Sequence, residues 1–145
     1  YVSDVYSFHS KKVNKLNSNN IVYRSKKVAG KDKEFLNRFL YHDISILYKF
    51  IKKRKIQSLQ FNKKTKKKLK YLKIKFKNYK EVLFKYDLNS TQKKHYINNI
   101  NLLTKKDILK KMIYNVIYKK NNIKNNNEKA LFILKFINSI KRRVE

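Results

Sequence analysis

The residues that decide the predicted fold run from Asn62 to Tyr86 and read NKKTKKKLKYLKIKFKNYKEVLFKY. Apolar side chains recur along this stretch at steps of three and four residues, which is typical of the buried stripe of an amphipathic helix. The stripe comprises Leu69, Leu72, Phe76, Tyr79, Leu83 and Tyr86. Most of the remaining positions are lysine. We therefore predict a long helix with one apolar face and a polycationic surface elsewhere.

A shorter helix is predicted upstream, after Gly30. Apolar residues recur there with helical spacing, and two acidic residues occupy the first turn, where negative charge is favourable. The apolar residues are Phe35, Leu36, Phe39 and Leu40, and the acidic ones are Asp32 and Glu34. We expect this helix to end at residues 41–43 and to pack on the longer one. The alternating pattern from Ile44 to Phe50 predicts a short strand, and residues 52–55 a basic loop.

The chain divides into three predicted parts. Residues 1–30 have no sustained periodicity and little apolar surface, so we expect an extended arm that becomes ordered only on a partner. Residues 31–87 form the two-helix core, and residues 88–145 form an appended helical extension. The predicted fold class is therefore mainly α.

Three helices are predicted in the extension, over residues 89–103, 105–120 and 128–142. The last helix carries a stripe of apolar residues at helical spacing. This stripe comprises Leu131, Leu134, Ile137 and Ile140.

Composition excludes most small-molecule chemistry. The 145 residues include 39 Lys+Arg and 9 Asp+Glu, and the net charge of +30 points to a polyanionic partner. No cysteine is present, which removes disulfides and thiolate metal sites. One glycine cannot build a glycine-rich phosphate loop. The longest apolar run, Ala130 to Leu134, is too short to span a bilayer. We therefore expect no cofactor, no small-molecule substrate and no membrane insertion.

No catalytic or metal-binding constellation is predicted. The three histidines, His9, His42 and His95, lack the spacing of metal ligands. His42 and Asp43 are sequence neighbours, which is poor geometry for a catalytic pair. We interpret these residues as surface residues and the protein as a non-enzyme.

The strongest local signal is a concentration of positive charge. Between Ile44 and Lys80 there are 15 Lys+Arg and no acidic residue. Such lysines can neutralise phosphates and release counterions, which favours nucleic-acid binding over an ordinary solvated face. Tyr71 lies off the apolar stripe and is the candidate for stacking on a base. The predicted RNA-binding residues are Lys49, Lys52, Lys53, Arg54, Lys55, Lys63, Lys64, Lys66, Lys67, Lys70, Tyr71, Lys73, Lys75 and Lys77.

The segment from Lys31 to Lys49, KDKEFLNRFLYHDISILYK, resembles the start of the conserved domain of bacterial-type small-subunit ribosomal protein eighteen. The matching positions are Lys31, Asp32, Leu36, Arg38 and Phe39, with Leu40 in place of an isoleucine and Ile46-Leu47 in register. Residues 67–69 and 82–86 are similar to the basic helix and the end of that domain. Tyr48 stands where the family has a proline.

The resemblance implies a small, mostly helical protein that binds rRNA and neighbouring ribosomal proteins, including small-subunit protein six. The extra terminal segments suggest an organellar ribosome, and the abundant Lys, Asn and Ile suggest an A/T-rich genome. A mitochondrion is the first expectation and a plastid the alternative.

Other readings stay open. The chain could be a basic DNA-compacting protein or a lineage-specific protein of the large mitochondrial ribosomal subunit. A basic amphipathic helix could also lie on an anionic membrane surface.

Overall fold

A computed structural model describes Val13, Lys110, Tyr114 and residues 16–27, 39–64, 69–103 and 123–144. In this part of the chain, six strands form one mixed sheet in the order β2-β3-β4-β1-β5-β6. Strands β1 and β4 are parallel, and the other neighbouring strands are antiparallel. The strands are β1 (Asn19–Ser25), β2 (Ile56–Lys64), β3 (Leu69–Phe76), β4 (Glu81–Asp87), β5 (Lys94–Ile97) and β6 (Ile100–Asn101). The prediction of a mainly α fold is therefore wrong.

The stretch from 62 to 86 forms strands rather than one helix. Leu72, Ile74 and Phe76 alternate with lysines, and in the structure these three side chains are fully buried. A period of two places alternate side chains on opposite faces of a strand. The predicted stripe had also included Tyr79, which is 92% exposed in the turn between β3 and β4. The three- and four-residue steps sample residues from both faces of the sheet.

Three helices, within the described residues, cover one face of the sheet. They are α1 (Tyr41–Ile46), α2 (Tyr48–Ile51) and α3 (Ile123–Val144). Ring contacts join the layers: Phe39 stacks on Tyr86 with centroids 6.2 Å apart, and Phe50 meets Phe76 edge-on at 6.1 Å. We call the side under the helices the covered face and the other side the open face.

The terminal helix is confirmed, but it buries a different stripe. Leu131 and Leu134 are 53% and 52% exposed, whereas Ile137 and Ile140 are buried as predicted. The buried positions of α3 are Ala130, Ile133, Phe136, Ile137 and Ile140, which follow steps of three and four residues. Phe132 also packs edge-on against Tyr48 of α2 at 5.4 Å. The helix thus packs on α1, α2 and β2 of its own chain.

Other predicted elements differ as well. Residues 19–25 of the predicted arm form β1, which lies between β4 and β5 in the sheet. Residues 44–50, predicted as a strand, belong to α1 and α2, and residues 94–101, predicted as helical, contribute β5 and β6. The loop at 52–55 connects α2 to β2.

Two predicted helices fall largely outside the described residues. The helix that begins after Gly30 has only its end, from Phe39, within them, and the helix over 105–120 has only Lys110 and Tyr114. In the part of the chain that the structure describes, no helix is long and apolar enough to cross a membrane.

Candidate nucleic-acid interface

The open face carries a row of tyrosines that crosses four adjacent strands. Tyr71 of β3 lies opposite Lys85 of β4, Lys85 beside Tyr23 of β1, and Tyr23 opposite Tyr96 of β5. Directly paired residues in a sheet have side chains on the same face, close enough to form one continuous surface. All four side chains are half-buried in the described structure. We call these four residues the tyrosine row.

The surroundings of the tyrosine row are cationic and partly apolar. Lys75 and Lys94 are exposed on the same face, and Lys73 forms an ion pair with Glu81 at 3.0 Å. Ile21, which is 44% exposed, belongs to the next row along the strands. An open sheet with aromatic rings, lysines and some apolar surface has the three components that bind unpaired nucleotides.

A buried polar row lies directly behind the tyrosine row. Lys70, Tyr86, Arg24 and His95 pair with one another across the same four strands, and each is a sequence neighbour of a residue in the tyrosine row. Their side chains are on the covered face, where α1 presents Asp43, which is fully buried. The row therefore combines polar sheet residues with a helical carboxylate in the interior.

Asp43 joins three strands to α1. Its Oδ1 accepts hydrogen bonds from Arg24 Nη2 at 2.7 Å and from His95 Nε2 at 2.8 Å. Its Oδ2 accepts a hydrogen bond from the Tyr86 hydroxyl at 2.8 Å. Since a carboxylate oxygen only accepts, Nε2 of His95 is the donor in this contact. The Arg24 guanidinium also lies 5.2 Å from the centre of the Phe39 ring.

The electrostatics of this cluster fix the proton positions. Burial by itself raises the pKa of Asp43, but the Arg24 charge, the His95 hydrogen bond and charge, and the Tyr86 hydroxyl together hold that pKa below its ordinary value. Burial, followed by the neighbouring Asp43 carboxylate, raises the pKa of Tyr86 well above its ordinary value. At neutral pH the carboxylate is ionised and the phenol protonated, so acceptor and donor are matched.

A basic cleft opens where β1 ends. It has a volume of about 170 Å³. Lys26, Lys93 and Lys94 bring positive charge to its wall, and Phe39 and Leu102 bring apolar surface. Arg24 and His95 of the covered face also line this cleft, whereas Lys94 shares a face of β5 with Tyr96.

The predicted RNA-binding residues fall into separate groups. Tyr71, Lys73 and Lys75 lie on the open face. Lys70 lies on the covered face and is 3% exposed, so it is not at the surface that a phosphate would reach. A second group surrounds the basic loop and the β3–β4 turn; it comprises Lys49, Lys52, Lys53, Arg54, Lys55 and Lys77. Lys63 and Lys64 belong to β2, and Lys66 and Lys67 lie outside the described residues.

Sequence reasoning missed most of the tyrosine row and all of the buried cluster. Tyr23 was hidden in the predicted arm and Tyr96 in a predicted helix. The interpretation of Asp43 and His95 as surface residues is wrong because both are buried; His42 is half-buried, and His9 lies outside the described residues. The sequence of β1 has no local signal for Tyr23, because its buried positions include Asn20 and Arg24 while Ile21 is exposed.

No protein-family model matches the chain, and no curated protein is significantly similar to it. The resemblance of Lys31–Lys49 to the ribosomal family therefore stays a prediction. The longer helix that the resemblance implied is not formed, because residues 69–76 and 81–87 are strands. Among the described residues, no group of three His, Asp or Glu side chains could hold a metal ion.

Proposed function

We propose that this chain is a structural RNA-binding protein that stacks unpaired bases on its tyrosine row and holds the backbone with lysines. The pairing register of the strands supports this proposal, because it places Tyr71, Tyr23 and Tyr96 in one row on the open face. Lys85 lies between the first two. Every base has a π face, so aromatic rings on a sheet bind single-stranded RNA with little sequence preference. The net charge of +30 supplies the attraction to phosphate.

The particle that we propose is an organellar ribosome, mitochondrial in the first instance. Lys, Asn and Ile dominate the composition, as A/T-rich organellar coding favours, and the Lys31–Lys49 segment resembles a ribosomal protein. In this proposal the RNA is rRNA, and the neighbours are other ribosomal proteins. The role is structural and non-catalytic, since a stacking surface with lysines positions RNA without reacting with it.

Binding to a short unstructured RNA of about 12 nucleotides tests the proposed surface. We expect the triple variant Tyr23→Ala, Tyr71→Ala, Tyr96→Ala to bind at least about a hundredfold more weakly, because stacking contributes about 1–3 kcal/mol per base. The affinity of the triple variant for a duplex of the same sequence should fall much less, because the bases of a duplex are already stacked. Filter binding or fluorescence anisotropy at one fixed salt concentration measures both.

The matched control replaces the same three tyrosines by phenylalanine. This triple variant keeps the rings and the charge, so its affinity for single-stranded RNA should stay within a few-fold of that of the original chain. An alanine triple variant that folds and binds single-stranded RNA normally would contradict the proposed surface.

The ribosomal assignment needs a separate experiment. We expect tagged protein from its native organelle to sediment with a ribosomal subunit, and its captured complex to dissociate with RNase but not with DNase. The reverse nuclease sensitivity would favour a DNA-compacting protein. Sedimentation with the small or the large subunit would decide which particle contains it.

A further inference from the structure

The turn between β3 and β4 holds a tyrosine in an unfavourable backbone conformation. Tyr79 has φ of 58° and is 92% exposed. A bulky residue in the left-handed region is uncommon because its Cβ crowds the following carbonyl, and glycine or asparagine is usual there. The ring of Tyr79 is almost entirely in solvent, so core packing does not offset this cost.

The other residue with positive φ in the described structure provides a contrast. Asn98 has φ of 51°, and asparagine tolerates that region. Its Oδ1 accepts a hydrogen bond from the Ile21 amide at 2.8 Å, and its Nδ2 donates one to Asn20 Oδ1 at 3.1 Å. These hydrogen bonds account for an asparagine at position 98. At position 79 the three-residue hairpin loop requires the left-handed conformation, but glycine is the usual residue there and a tyrosine is not. Strained residues of this kind are concentrated at functional sites.

The turn is held against the basic loop. The Lys77 amide donates a hydrogen bond to the Lys55 carbonyl at 3.1 Å, and the Phe76 amide donates one to the Lys80 carbonyl at 2.8 Å. The first bond joins the turn to residues 52–55, and the second closes the turn itself. We call residues 77–80 together with this loop the basic tip.

A cationic cleft lies beside the basic tip. The Arg54 guanidinium lies 4.0 Å from the centre of the Phe50 ring, and Lys80 Nζ lies 5.7 Å from the same centre. Together with Lys49, these residues line a cavity of about 250 Å³. The buried Nε of Arg54 has no hydrogen-bond partner among the described residues. No acidic residue occurs between Ile44 and Lys80, and Glu81, which follows, is paired with Lys73.

An exposed ring beside several cations suits a ligand that combines flat aromatic groups with negative charge. Nucleotides have both, since the bases stack on aromatic rings and the phosphates accept hydrogen bonds from Arg and Lys. An acidic peptide would pair with the cations but would leave the strained, exposed tyrosine unexplained. The observations therefore favour RNA over a protein partner.

We propose that the basic tip is a second RNA contact, in which Tyr79 stacks on an unpaired base while Arg54 and Lys80 bind adjacent phosphates. This inference rests on the proposed function, that the chain binds RNA. The tip is distinct from the tyrosine row, because the six residue steps from Tyr71 to Lys77, which directly follows β3, span about 20 Å. An RNA that contacts both places must pass along the sheet to its end.

The test uses Tyr79→Gly and Tyr79→Trp in the full chain, with an unstructured RNA of about 12 nucleotides as the probe. We expect the glycine variant to lose about five- to hundredfold in affinity while its urea midpoint rises, because glycine relieves the backbone strain. The tryptophan variant keeps an aromatic ring and should bind at least as well as the original chain. A loss of binding with a gain of stability cannot come from misfolding.

The possible outcomes distinguish the second contact from the proposed function. Normal RNA binding by Tyr79→Gly, when the tyrosine-row triple variant has lost it, would overturn the second contact and leave the proposed function standing. Loss of affinity in Tyr79→Trp equal to that of the glycine variant would also overturn it. Failure of the unaltered chain to bind any RNA would overturn both. Capture of an acidic peptide that depends on Tyr79, with RNA binding unaffected, would assign the tip to a protein partner instead.

Discussion

Two rows of side chains stand back to back across the same four strands, and they use similar residue types for opposite purposes. The tyrosine row presents rings and a lysine amine on the open face. The buried polar row, one residue away in each strand, presents a phenol, a guanidinium and an imidazole to the interior, where Asp43 accepts hydrogen bonds from all three. The rows differ only in the face of the sheet to which their side chains point, because neighbouring residues of a strand alternate between the two faces.

The two rows contribute to different properties: the buried polar row to folding stability and the tyrosine row to RNA binding. A buried polar group must find its partners within the fold, because losing one leaves the others desolvated and unpaired. A half-buried ring on the open face still has one side available to a ligand. Substitutions at neighbouring positions of one strand should therefore have different consequences: loss of folding stability on the covered face and loss of RNA affinity on the open face.

The largest effect is expected at Asp43. Asp43→Ala leaves Arg24 and His95 buried without their acceptor and should lower the free energy of unfolding by about 3–5 kcal/mol. Urea denaturation followed by circular dichroism measures it. A loss below about 1 kcal/mol would show that the buried cluster does not fix α1 on the sheet and that the covered-face row does not determine stability.

The same carboxylate should have a smaller effect on how the free energy of unfolding depends on pH. The pKa of Asp43 is lower in the folded chain than in the unfolded chain, so the unfolded chain binds the proton first as pH falls. The stabilisation is therefore fully present above the ordinary aspartate pKa and is lost as pH falls through the lower folded value. Urea midpoints between about pH 6 and about pH 3 should decline less steeply in Asp43→Asn than in the original chain. Identical slopes would contradict the pKa direction.

On the open face, Tyr96→Ala should lower RNA affinity by about 1–3 kcal/mol and stability by less than about 1 kcal/mol. Parallel measurement of anisotropy and urea unfolding gives both quantities for one preparation. The neighbouring change His95→Ala is the matched control, since it should reverse the order of the two losses. A Tyr96 variant that is destabilised but binds RNA normally would remove this ring from the interface.

The smallest effect distinguishes two lysines of the open face. Lys73 is paired with Glu81 at 3.0 Å, whereas Lys85 forms no ion pair with a described residue. Lys85→Gln should therefore reduce the slope of log affinity against log salt by up to about one unit, and Lys73→Gln should reduce it less. Equal reductions would show that the ion pair opens on binding.

The concentration of positive charge is evident from the sequence, but a helical period of three and four residues cannot predict the sheet. Residues 72–76 alternate apolar and lysine positions, yet Leu69, Leu72 and Phe76 also satisfy helical steps. Leu69 in fact lies on the open side with Asp87 and Ser25, away from Leu72. Only the pairing with β2 and β4 decides between the two periods, and such pairing is non-local.

The candidate site was predictable only in part for the same reason. Tyr71 was singled out because it lay off an apolar stripe, and its stacking role stays a prediction although it does lie on the open face. Tyr23 and Tyr96 become its neighbours only when β1 inserts between β4 and β5. The terminal helix was predicted because a period of 3.6 needs only local sequence, whereas its buried face depends on what α1 and β2 present to it.

The most direct test is to map the RNA contacts by ultraviolet cross-linking of the full chain to single-stranded RNA, followed by mass spectrometry. We expect cross-links at Tyr23, Tyr71 and Tyr96, with Phe39 and Tyr86 of the covered face unmodified. Cross-links confined to α3, or their absence from all three open-face tyrosines under conditions where the chain binds RNA, would contradict the claim that the open sheet is the RNA-binding surface.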